Sequence, residues 1–130
     1  MDKVVHFELP ADNIDRAKKF YKETFGWQMQ DMPEMNYITI KTREVDEKMM
    51  PKEIGAINGG MFKRGDMDNM INGATFSINV EDIDTAVKKI KNAGGLILKE
   101  KMPVSDMGFV AYFKDTEGNI LSVWQTAKEI

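Results

Sequence analysis

The sequence predicts an α+β fold: two tandem βαβββ modules that form a curved sheet around a cleft, with the helices on its outer side. Three observations predict it. Val4–Trp27 recurs sixty-nine positions later as Gly73–Leu96, with Phe7 on Phe76, Ile14 on Ile83, Asp15 on Asp84, Ala17 on Ala86 and Gly26 on Gly95. The pattern types recur as well as the residues: strand, acidic cap, amphipathic helix, glycine stop. Three further strand-like runs then follow each helix. The boundaries are module one at 1–62, a linker at 63–72 and module two at 73–130.

Val4–Leu9 alternates as a strand, with Val5, Phe7 and Leu9 on one face and His6 and Glu8 on the other. Pro10 is expected to end its pairing. Asp12 or Asn13 caps a helix over about Ile14–Thr24, whose stripe is Ile14, Ala17, Phe20, Tyr21 and Phe25, and Gly26 stops it. Strands follow at Trp27–Asp31, Asn36–Thr42 and Gly55–Phe62, with the charged run Arg43–Glu53 as a mobile loop. In Asn36–Thr42, Tyr37, Thr39 and Lys41 share one face and Ile38 and Ile40 the other. Lys63–Asn72 reads as the linker.

Module two opens on Ala74–Val80, with Phe76, Ile78 and Val80 opposed to Thr75, Ser77 and Asn79. Asp82 caps a helix with the stripe Ile83, Ala86, Val87 and Ile90, ended by Gly94-Gly95. Strands at Leu96–Met102, Gly108–Lys114 and Asn119–Gln125 complete it, the last two joined by the turn Asp115–Asn119. The polar faces of the two first strands line a concavity, where a small ligand would sit.

Composition excludes several classes. Net charge is −3 with both signs interspersed, and no clustered basic footprint points to nucleic acid. There is no cysteine for a disulfide, thiolate or zinc ribbon, and no apolar run of membrane-spanning length. The N-terminus lacks a signal-peptide core, so a cytoplasmic protein is expected. No phosphate loop or nucleotide fingerprint is present. Asp66 and Asp68 lack the ligand ladder of a calcium loop.

HFELPADNIDRAKKFYKETFGW and FKDTEGNILSVWQ carry a resemblance to the vicinal oxygen chelate superfamily, the glyoxalase I, bleomycin-resistance and extradiol-dioxygenase group. The first resembles that group's first module and the second its closing hairpin, and the likeness spans Val4–Gln125. In metal-using relatives, the two modules surround one divalent ion, held from equivalent places on the first and fourth strands of each module. The resemblance puts those places at His6, Gly59, Thr75 and Ser122. His6, fifteen residues before Tyr21, is the only strong ligand of the four. Catalytic divalent ions usually take three or more protein ligands, and hydroxyls are weak substitutes. The resemblance thus implies a homodimeric small-molecule-binding protein without a metal cofactor. Its ligand site is His6, Glu8, Tyr37, Gly59, Thr75, Ser77, Ser122 and Trp124.

The alternative is a glyoxalase-like lyase or isomerase, with His6 and Glu8 around a weakly held divalent metal and Glu8 taking a proton next to a carbonyl. A third class is a subunit or partner surface. His6 reads either as ligand or base, or as a half-buried strand residue bonded to Glu8 or a neighbour. Trp124 and Trp27 read either as aromatic ligand walls or as core, and Gln125 is a further polar candidate. Gly59-Gly60 marks either a close approach or a bulge.

Overall fold

Cap residues and alternating faces set the elements in this computed structural model, which describes residues 1–66 and 70–128. The chain divides into two compact units, His6–Ala74, and Thr75–Ile130 together with Met1–Val5.

The first unit contains β1 (Lys3–Ala11) from His6 onward, α1 (Ile14–Phe25), β2 (Gln28–Met32), a 3₁₀ turn at Pro33–Met35, β3 (Tyr37–Lys41) and β4 (Asn58–Lys63). Its strands run in the order β2-β3-β4-β1. β1 lies parallel to β4, while β3 is antiparallel to both β2 and β4. α1 starts at Asn13, whose side chain accepts from the Arg16 N–H at 3.0 Å, and ends at Gly26 in the left-handed conformation (φ 73°). Asp12 instead pairs with Arg64 at 2.9 Å. The core is Ala11, Ile40 and Met61, packed by Phe7, Leu9, Ile14, Ala17, Tyr21, Trp27, Met29 and Ile38.

Four expectations change here. Pro10 does not end the pairing: it lies opposite Phe62, and Ala11 opposite Lys63. A strand's N–H groups point to alternate edges, so a proline removes one bond and the ladder continues around it. Phe20 and Phe25 leave the predicted core stripe and are 55% and 60% exposed. The sheet accommodates Ile14, Ala17 and Tyr21, and the two phenylalanines pack edge-on to one another outside it. β4 starts at Asn58, because Gly55 sits in a turn at φ 91°. The 43–53 loop is internally bonded, through the Arg43–Glu53 ion pair at 2.7 Å, a Val45–Pro51 bridge and the Asp46 carboxylate accepting from Lys48 and Met50 N–H groups.

The two ends of the linker are also tied down. The Arg64 N–H donates to the Ala11 carbonyl, its guanidinium to Asn72, and Ile71 is buried. Asp68 lies outside the described residues.

The second unit contains β5 (Thr75–Asn79), α2 (Ile83–Asn92), β6 (Leu96–Val104), β7 (Gly108–Lys114) and β8 (Ile120–Thr126), in the strand order β5-β8-β7-β6. As in the first unit, the first strand is parallel to the fourth and the rest pair antiparallel. Each unit is therefore βαβββ. Asp82 caps α2, accepting from the Asp84 N–H and the Thr85 hydroxyl. Ile83 and Val87 press into Val80, Ala111, Phe113 and Val123. The Asp115 carboxylate accepts from the Glu117 N–H and from both nitrogens of Asn119, closing the β7–β8 turn with Gly118 at φ 88°. Those bonds hold its carboxyl below the usual carboxylate range. No helix among the described residues is long and apolar enough to cross a membrane.

Candidate functional site

Residues opposite one another on paired strands point to the same face, so register decides what each face carries. In the first unit, His6 lies opposite Asn58, and Glu8 opposite Gly60. Gly60 lies opposite Thr39, and Gln30 opposite Thr39 from the other side. The polar face is thus His6, Glu8, Asn58, Gly60, Tyr37 and Thr39. The reverse face carries Phe7, Ile40 and Met61 toward α1.

His6 and Tyr37 are joined across this face by a 2.8 Å hydrogen bond between Nε2 and the phenol oxygen. That is the neighbour the sequence left unnamed. Burial lowers the pKa of the His6 imidazole below its ordinary 6.5, and the Glu8 carboxylate two residues on partly opposes the shift. The shift favours the neutral ring. Glu8 is itself buried, at 7% exposure. Every buried side-chain nitrogen and oxygen among the described residues has a hydrogen-bond partner. The face therefore offers a neutral imidazole, a phenol and a buried carboxylate, which together can donate to or accept from a polar group on a ligand.

The depressed His6 pKa makes stability depend on pH. The unfolded chain protonates its histidine near 6.5 and the folded chain only at lower pH. Between those values the unfolded state binds more protons, so stability falls as pH drops through this window and levels off below it. Melting temperatures measured between about pH 8 and pH 5 should show this drop in wild type but not in His6→Gln, once the other groups' shared trend is subtracted. Parallel curves would mean that His6 is solvated in the folded state.

Gly59 is corrected. It lies opposite Phe7 and Ile40, on the face toward α1, and a β-carbon there would overlap the Phe7 carbonyl. Gly60 occupies the polar face instead. The fourth-strand position of the first unit lies one residue later than the resemblance put it. By pairing, Ser122 lies opposite Ser77 as Gly60 lies opposite Glu8.

In the second unit, Ser77, Ser122 and Tyr112 share one face, with Trp124 and Val110 beside them. Thr75, Ser77 and Ser122 are all buried. The Thr75 hydroxyl donates to the Ile120 carbonyl at 2.6 Å, and Ser77 and Ser122 bond each other at 2.5 Å. The half-buried Trp124 ring lies against Gly108, and its N–H donates to the Thr126 hydroxyl at 3.1 Å. Gln125 is on the opposite face and is used structurally: its carbonyl oxygen accepts from the Ile83 N–H at 2.8 Å, satisfying the start of α2. Trp27 is core, stacked on Tyr21 at 4.9 Å.

The donor set does not fit a divalent metal. Of the four positions the resemblance marks, with Gly60 in place of Gly59, one has no side chain and two are hydroxyls bonded to neighbours within their own unit. The fourth, His6, has its distal nitrogen bonded to Tyr37. Among the described residues no three His, Cys, Asp or Glu side chains converge as a metal site. Two surface concavities of about 320 and 400 Å³ lie in the first unit. One is by Asp31, Met32 and Phe62 and the other by Asn13, Arg16 and Phe20, and neither includes His6 or Glu8. The first is also lined by Tyr37 and so reaches one member of the polar face, and the hydrogen-bonded side chains are the better guide to chemistry.

Residues 3–42 match the family described as Bleomycin resistance protein-like N-terminal. A glyoxylase-like domain-containing protein of Didymella fabae is 32% identical over 113 residues, covering 86% of this chain and 84% of that one. A Vibrio parahaemolyticus protein named "Probable lactoylglutathione lyase" is 27% identical over 130 residues, covering 95% of this chain and 90% of that one. Mycobacterial relatives are longer, and the chain spans 45% of their length. The structure of Streptomyces coelicolor methylmalonyl-CoA epimerase in complex with 2-nitronate-propionyl-CoA has a TM-score of 0.67 at 15% identity, covering 97% of this chain and 98% of that one. The paired βαβββ units and the extent of the Didymella match together lead to one conclusion: the chain belongs to the glyoxalase/bleomycin-resistance/dioxygenase group, the vicinal oxygen chelate superfamily.

Proposed function

We propose that this chain binds a small organic molecule stoichiometrically and without a divalent metal, using the polar face of β1, β3 and β4 as a ligand wall. The observation that carries this is the state of the donors: Thr75, Ser77 and Ser122 have their hydroxyls bonded within their own unit, and His6 is bonded to Tyr37. Such a set orients an uncharged or polar-edged ligand better than it holds a cation. His6, Tyr37 and Glu8 supply the directional contacts.

The test is calorimetric titration of a panel of flat aromatic compounds into the wild-type chain, His6→Ala and Glu8→Gln. A ligand that binds wild type and loses tenfold or more in either variant, a loss of about 1.4 kcal/mol, supports the reading. A ligand that binds all three equally locates binding elsewhere. In parallel, the chain is loaded with Ni²⁺, Zn²⁺ or Mn²⁺ and desalted. About one retained equivalent, lost in His6→Ala, would overturn the metal-free reading.

A second reading, lyase or isomerase chemistry with Glu8 as the base, is favoured by one observation: a buried carboxylate beside a neutral imidazole. Solvent-deuterium exchange into a bound carbonyl compound, absent in Glu8→Gln, would distinguish it from binding alone.

A further inference from the structure

Gly60 leaves a vacancy in the polar face, and Tyr37 fills it. A β-carbon on Gly60 would overlap the Tyr37 phenol oxygen and its Cζ. The ring can cross β4 at this height only because the position has no side chain. From this seat the phenol oxygen meets the His6 Nε2, 31 residues away in sequence. The counterpart position in the second unit carries Ser122, which bonds Ser77 and seats no aromatic ring between them.

We infer that Tyr37, seated on Gly60, is a positioning residue that holds the His6 imidazole in one hydrogen-bonded tautomer and closes its distal nitrogen to metal ions. The distal nitrogen is closed in either tautomer. If the phenol donates, the Nε2 lone pair is used to accept that bond. If Nε2 donates, it carries a proton and has no lone pair to give. A metal ion needs that lone pair, so it would have to displace the phenol first. This holds whether or not the face binds an organic ligand, so the ligand titration and the test below can fail separately.

His6 is the only histidine in the chain, so its imidazole signals are unambiguous. The experiment is long-range proton–nitrogen correlation NMR on the full-length, nitrogen-labelled protein, with Tyr37→Phe and Gly60→Ala alongside. Tyr37→Phe keeps the ring and removes only the oxygen. Gly60→Ala leaves both side chains intact and displaces the phenol from its seat. In wild type, at a pH of about 7.5, the two ring nitrogens should be well separated, one protonated and one not. In both variants they should move toward a common averaged value. Added Co²⁺ should then perturb the His6 ring in the variants at concentrations roughly fivefold lower than in wild type, the worth of about one hydrogen bond.

Gly60→Ala reports independently if Tyr37→Phe does not fold. Unchanged nitrogen shifts in a folded variant would overturn the positioning role. Wild-type sensitivity to Co²⁺ equal to that of the variants would overturn the exclusion of metal. A Tyr37 that only fills space would move neither readout in Tyr37→Phe.

Discussion

Ile83→Ala should destabilise the chain by about 2–5 kcal/mol, read as the shift in a urea or thermal unfolding midpoint. Ile83 is fully buried at the first position of α2. Its side chain belongs to the cluster of Val80, Val87, Ala111, Phe113 and Val123. Four of those are on or beside strands, so they cannot collapse into the space that the lost methyl groups would leave. The backbone N–H of the same residue is held by Gln125, which further fixes the helix end over that space. A loss under about 1 kcal/mol would mean that α2 can repack against the sheet, and that the cluster is looser than its burial suggests.

Gly59→Ala should cost about 1–3 kcal/mol, and Gly60→Ala clearly less, although the two are neighbours in one strand. The new methyl group at Gly59 would overlap the Phe7 carbonyl and approach its ring at 2.7 Å. That carbonyl belongs to the paired strand β1, and a backbone held in a ladder does not move aside cheaply. At Gly60 the obstacle is the far end of the Tyr37 side chain, which can rotate away. Stability and site geometry are thus separated between adjacent residues. Paired unfolding curves for the two variants measure this directly. Equal costs would mean that Tyr37 is as firmly held as the backbone.

That adjacency also marks where reading the sequence stopped. The strand–helix–strand order was legible because caps and stops are local: Asn13, Gly26, Asp82 and the Asp115 turn each act within a few residues. Which residues of β1, β3 and β5 share a face followed from alternation alone, which put His6 with Glu8 and Ser77 with Thr75, but not that Thr75 and Ser77 would be buried and Phe76 exposed. The fourth strand of the first unit was misplaced by one residue. Its register is set by pairing with β1 and β3, and a slip of one residue exchanges the faces. The His6–Tyr37 bond was out of reach for a related reason. It joins positions 31 apart, and its only local trace is a glycine pair that could equally have marked a bulge. Gln125 was no more than a polar candidate, because an amide gives no sign in sequence of the helix end it serves.

The parallel pairing of the first and fourth strands in each unit bears on how the chain folds. The β7–β8 hairpin closes a loop of a few residues, but β1 meets β4 across fifty-two positions, from His6 to Asn58, and β5 meets β8 across forty-five, from Ser77 to Ser122. Loop-closure entropy makes such ladders slow to form, so the hairpins and helices should be in place before either ladder closes. His6 and Glu8 on β1 acquire their Asn58 and Gly60 neighbours only at that last step. Substitutions at Gly60 should therefore appear mainly in the unfolding arm of a chevron plot, leaving the folding arm nearly unchanged. The polar face would be the last part of its unit to form and, by reversal, the first to open.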